Sequence, residues 1–127
     1  MQRNALLLLR TGLAITFIWV GVLILRDTSM WAYPILPWAK RLLTVGGSLK
    51  PVLQAVAVLD ILVGAALILN LGSWIAATVG VVVLTAALVV TGASGALATN
   101  FGLLGACLAT LLLTAPDSLL KKLGLAR

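Results

Sequence analysis

The sequence predicts an all-α integral membrane protein: a bundle of four transmembrane helices with a short interfacial helix between the first and the second. Three observations carry that expectation. Of 127 residues, 62% are apolar and only 9% charged, with a mean hydropathy of +1.20, and a water-soluble domain of this size would need far more polar surface. The run from Pro51 to Ala115 holds one charged side chain, Asp60. Clusters of helix-breaking residues interrupt that run at intervals matching the thickness of a bilayer.

The first span is expected over 5–25, with Arg10 a little over one turn inside and able to snorkel to the headgroups. The 65 residues from Pro51 to Ala115 are too many for two spans and suit three of about 20. Asn70-Leu71-Gly72-Ser73 and Thr91-Gly92-Ala93-Ser94-Gly95 mark the breaks, giving spans over 52–71, 74–91 and 96–115. The whole chain, 1–127, then forms a single membrane domain. The loop over 26–50 contains Trp31, Tyr33, Pro34, Pro37 and Trp38 beside Lys40 and Arg41. Its prolines exclude one straight helix, and aromatic rings beside cations suit the headgroup level, so a short helix along the membrane is expected at 37–44. In the tail, 116–127, leucines alternate with Lys121 and Lys122, a pattern for another interfacial turn or two.

Nine basic residues against three acids give a net charge of +6. The cations sit at segment ends, marking membrane interfaces rather than a phosphate-tracking stripe, which excludes nucleic acid as a partner in favour of the lipid bilayer. Four spans put both termini on one side, with Arg3, Arg10, Lys121, Lys122 and Arg127 against Arg26, Lys40, Arg41 and Lys50. The positive-inside rule thus places the termini in the cytoplasm by a margin of one. Arg3 and Arg10 precede an apolar stretch that could open a signal peptide, but no small-x-small cleavage pattern follows, and an uncleaved first span is expected.

There is no histidine, which removes histidine metal sites, bis-histidine haem and the usual general base. The lone Cys107 makes neither an internal disulfide nor a CxxC pair. Catalysis by this chain alone is not expected, and no metal site is.

Asp60 is the leading candidate for a functional residue. A carboxylate at the bilayer centre costs roughly 2.5 to 3.5 kcal/mol even on lenient scales, so something must offset it. Low dielectric favours the neutral form, expected to donate a hydrogen bond to a hydroxyl or backbone carbonyl. Thr16, Thr85 and Cys107 lie at comparable depth, and Ala57 and Gly64 leave room on the same helix face for a close neighbour. The acid is then a structural tie, a proton, quinone or substrate site, or a contact with a partner subunit. Trp19 either packs or stacks a ring-shaped ligand such as a quinone, while Trp31, Tyr33, Trp38 and Trp74 suit the aromatic belt. Ala98, Gly102, Ala106, Thr110 and Thr114 recur every four residues, a stripe for close helix packing within the chain or against another copy or subunit. Gly102-Leu103-Leu104-Gly105 lacks the strand–turn–helix context of a nucleotide loop.

Several stretches resemble the DoxX and DoxX-like family of small four-helix membrane proteins. They are Leu9-Arg10-Thr11-Gly12-Leu13, Phe17-Ile18-Trp19-Val20-Gly21, Asp27-Thr28-Ser29-Met30-Trp31-Ala32, Leu59-Asp60-Ile61-Leu62-Val63-Gly64 and Asn100-Phe101-Gly102. The resemblance implies a bacterial inner-membrane protein, a non-catalytic accessory subunit supporting a redox or electron-transport complex such as a quinone-linked oxidoreductase. Many relatives carry a lysine shortly after the Trp-x-Gly of the first helix. Here those positions are Val22 to Leu25 and the nearest cation is Arg26, so a pair with the acid is either lost or rebuilt with Arg26. The rival expectations are a small proton-coupled transporter and a quinone-reducing subunit, each using Asp60. Small multidrug exporters keep their acid in the first helix, and this first helix has none.

Overall fold

The structure is a computed structural model that describes residues 2–92 and 96–125, with side chains described over 3–92 and 99–125. Seven helices follow one another among the described residues: α1 (Gln2–Arg26), α2 (Thr28–Ala32), α3 (Pro37–Leu43), α4 (Leu49–Leu69), α5 (Ser73–Thr91), α6 (Ala96–Thr114) and α7 (Asp117–Lys122). Three of them, α1, α4 and α5, are long and apolar enough to cross a membrane, and over Thr99–Thr114 α6 supplies a shorter apolar helix. The chain is therefore a helical membrane protein by length and composition of its helices.

Helix ends follow local chemistry. α4 begins at Leu49, three residues before the expected start, because Ser48 caps it: its hydroxyl accepts from the Lys50 amide at 3.3 Å. Pro51 is tolerated there since first-turn amides have no partner within the helix. α4 stops at Leu69 because Asn70 turns left-handed (φ 57°, ψ 29°), and its carboxamide oxygen accepts from the Ser73 hydroxyl at the start of α5. The break expected at 91–95 keeps Thr91 in α5 and Gly92 as its C-cap, while 93–95 lie outside the described residues.

The loop between the first two spans holds two short helices where one was expected. α3 begins with Pro37 at its first position. The unexpected α2 is capped by Asp27, whose Oδ1 accepts from the Met30 amide at 3.1 Å and the Ser29 hydroxyl at 2.6 Å. Between them Ile35 is buried, and the Leu36 amide donates to the carbonyl of Val90 in the last turn of α5 at 2.8 Å. Ile35 and Leu36 thus reach into the bundle while Tyr33 stays exposed.

α1 packs most extensively on α4 and α5 on α6, while α4–α5 and α1–α6 contacts close the ring. α1 and α4 run antiparallel, since Gly21 meets Ala57 and Ile61 while Gly64 meets Ala14 and Ile18. A Cβ on Gly21 would lie 2.6 Å from the Ala57 carbonyl oxygen, and one on Gly64 2.7 Å from that of Ala14. Only glycine allows backbones this close. Two apolar clusters fill the ring. The larger joins Leu13, Phe17, Val63, Leu67, Leu84 and Cys107; the smaller joins Ile24, Ile35, Ala39, Leu53 and Ala57 beneath α2 and α3.

Candidate functional site

The buried stripe of α4 runs Leu53, Ala57, Asp60, Gly64 and Leu67, a spacing of three and four residues that keeps one face against the bundle. Leu53 and Ala57 belong to the smaller cluster and Leu67 to the larger, which sets Asp60 on the stripe between the two. Its residual exposure is 4%, so the acid faces the interior and not lipid.

No polar tie accompanies that placement. Oδ1 of Asp60 is buried without a hydrogen-bond partner, and no side-chain hydrogen bond or ion pair to Asp60 occurs among the described residues. The expected hydroxyl partners donate to their own helices and do not reach the acid. Thr16 donates to the Gly12 carbonyl at 2.9 Å and Thr85 to that of Val81 at 2.7 Å. Thr110, fully buried, donates to Ala106 at 2.9 Å. Thr85 is exposed on the outer side of α5 and Thr16 is only half-buried; since a hydroxyl that donates to its own helix can still accept, it is their placement that leaves the acid without them. Cys107 is buried in the larger cluster. An unpartnered buried carboxyl oxygen forfeits about 1 to 3 kcal/mol of hydration.

The other candidates lie elsewhere. Trp19 is 63% exposed and shares the outward stripe of α1 with Ile15 and Val22, opposite the buried Leu13, Phe17, Gly21 and Ile24. Asp60 and Trp19 are not brought into one site. Arg26 does not rebuild a pair with Asp60: it is exposed at the end of α1 and lines a cleft beside Asp27, Lys50 and Gln54. Trp31 and Trp74 are half-buried, Tyr33 and Trp38 exposed, with Trp74 at the opposite end of the bundle from the other three.

One polar contact inside the spans was not expected. Arg10 reaches across to α4, where Nε and Nη2 donate to the Leu67 carbonyl at 3.2 and 2.6 Å. That carbonyl belongs to the last turn of α4 and has no amide partner ahead of it in the helix. A guanidinium there satisfies it and complements the negative end of the helix dipole. Snorkelling to headgroups gives way to this contact because α4 ends at the level of Arg10. An antiparallel neighbour ending opposite an intramembrane cation was the signal available in the sequence.

Among the described residues no three His, Cys, Asp or Glu side chains gather as a metal-holding group. The stripe on α6 is used unevenly. Thr110 is fully buried and Ala106 half-buried, Gly102 meets nothing within 4 Å, and the side chain of Ala98 lies outside the described residues. Compared with protein-family models, curated proteins and solved structures, the chain matches none.

Proposed function

We propose that this chain is a non-catalytic, multi-pass subunit that supports or assembles with a redox or electron-transport complex of a bacterial inner membrane, as its resemblance to DoxX implies. In this reading α6 completes a fourth crossing and both termini are cytoplasmic. The observation that carries it is the divergence of the groups able to do chemistry. Asp60 faces the interior of the bundle and Trp19 its exterior. A quinone ring stacked on Trp19 would be out of reach of a proton on Asp60. The outward apolar stripe of α1, with Leu8, Ile15 and Trp19 all more than half exposed, suits lipid or the helices of a partner subunit or second copy.

A second reading keeps one observation in its favour. The partnerless Oδ1 of Asp60 is what a proton-holding group of a small proton-coupled carrier would present. Mild detergent extraction followed by mass spectrometry of the intact assembly separates the two. The accessory reading expects a fixed set of larger redox subunits; a lone monomer or homodimer carrying a small substrate overturns it. Asp60→Asn that preserves both assembly and activity of the intact membrane system removes the proton reading.

A further inference from the structure

The end of the bundle that carries α2 and α3 also carries a half-open cavity of about 380 Å³, bounded by the last turn of α1, the start of α2 and the first turns of α4. Two cations line it from different helices: Arg26, the last residue of α1, and Lys50, in the first turn of α4. Ser29 and Gln54 add polar groups and Leu25 and Leu53 an apolar wall. Neither cation is in an ion pair among the described residues. The one acid at the rim, Asp27, is committed to Ser29 and to the Met30 amide as the cap of α2. Those bonds, the Ser29 hydroxyl first, hold its carboxyl below the ordinary 3.8 and keep it anionic.

A second cavity of about 320 Å³ adjoins the first, sharing Arg26 and Asp27 and otherwise lined by Leu23, Met30 and Trp31. The first compartment therefore sets two cations, unpaired among the described residues, against leucine walls, the second is almost wholly apolar, and Arg26 lines both. That is the complement of an amphiphile with an anionic head. We propose that this double cavity binds the phosphate of an anionic phospholipid between Arg26 and Lys50, with the start of its apolar portion along Leu23, Met30 and Trp31. Inorganic phosphate shares the first half of that chemistry and lacks the second.

The test uses the full chain in detergent, titrated with phosphatidylglycerol or phosphatidylcholine and read by native mass spectrometry as lipid retained per chain. Phosphatidylglycerol is retained preferentially, and inorganic phosphate does not displace it. The Arg26→Gln/Lys50→Gln variant binds it about thirtyfold more weakly, as the loss of two cations at a lipid surface implies. Asp27→Asn keeps the cap, since Asn serves as well there, removes a repelling charge and tightens retention severalfold. Met30→Gln weakens it without changing the preference between headgroups. Equal retention of the two lipids overturns the proposal, as does displacement by inorganic phosphate, which would make the cleft a free-anion site. Weaker retention in Asp27→Asn also overturns it, because the cleft would then be holding an ammonium group; that readout stands even if the double variant fails to fold.

Discussion

The α1–α4 seam and α6 are built from similar residues and use them differently. Both contain glycine and alanine at helical spacing inside apolar sequence. In the seam, Gly21 and Gly64 bring each backbone against the opposing carbonyl, whereas Gly102 and Gly105 on α6 meet nothing within 4 Å. The regularity of a small-residue stripe is therefore no measure of how close a neighbour comes. α6 has the stricter pattern, and α1 and α4 have the closer contact. What separates them is register: in the seam each glycine lies opposite a backbone oxygen of its antiparallel partner. Among the described members of the α6 stripe, Ala106, Thr110 and Thr114 turn toward the bundle and Gly102 does not.

The comparison breaks most easily at its glycines. Gly21→Ala and Gly64→Ala should each destabilise the chain by about 3 kcal/mol, because the added methyl meets a fixed backbone oxygen as well as the Cγ1 of an opposing isoleucine. Gly102→Ala and Gly105→Ala should be neutral or stabilise by up to about 1 kcal/mol through helix propensity alone. Unfolding in mixed micelles with rising denaturing detergent measures all four. Equal losses in the two sets would mean that α6 is as tightly partnered as the seam.

Arg10 ties the same two helices at one end of the seam. Arg10→Ala should lose about 2 kcal/mol, the worth of a charge-assisted bond plus a stranded carbonyl, in the same unfolding assay. Arg10→Lys should recover part of it, because a single ammonium reaches Leu67 without the two-nitrogen fit. A wild-type midpoint for Arg10→Ala would return that side chain to the headgroups.

Asp60 sharpens the comparison from the middle of the seam. With Oδ1 unpartnered, Asp60→Val removes a dehydrated oxygen and adds modest volume, so it should raise stability by about 1 kcal/mol in that assay. A fall instead would reveal a bond at this carboxyl on which the seam depends.

How far the sequence reaches is clearest residue by residue. Hydropathy and breakers locate the long helices to within three residues at the ends described, because Ser48, Asn70 and Gly92 act locally on the chain that follows them. Pro37 likewise announces α3. α2 escaped because a five-residue helix has no periodicity to detect; only the cap, Asp27 three residues before Met30, signals it. The buried side of Asp60 could be read from Ala57 and Gly64 on its face. The missing partner could not, because whether Thr16 or Thr85 serves the acid or its own helix is decided by distances across the bundle. The Arg10–Leu67 contact depends in the same way on which residues of α1 and α4 share a level.

The smallest effect belongs outside both regions compared, at Asp27. Its carboxyl is held below 3.8 chiefly by the Ser29 hydroxyl and then by the Met30 amide, and it is fully exposed. A lowered folded-state value means that the contribution is present above 3.8 and disappears as pH falls through the still lower folded value. Amide exchange at Met30, followed on the acid side of that window, should therefore lose protection as the cap is protonated. In Asp27→Asn the cap persists and that acid-dependent loss should vanish. The α1–α4 seam should not respond in either protein, since among the described residues the Asp27 carboxyl bonds only to Ser29 and the Met30 amide. If acid loosens the Met30 amide and the seam together, α2 and the seam open as one unit, and the local reading of the cap fails.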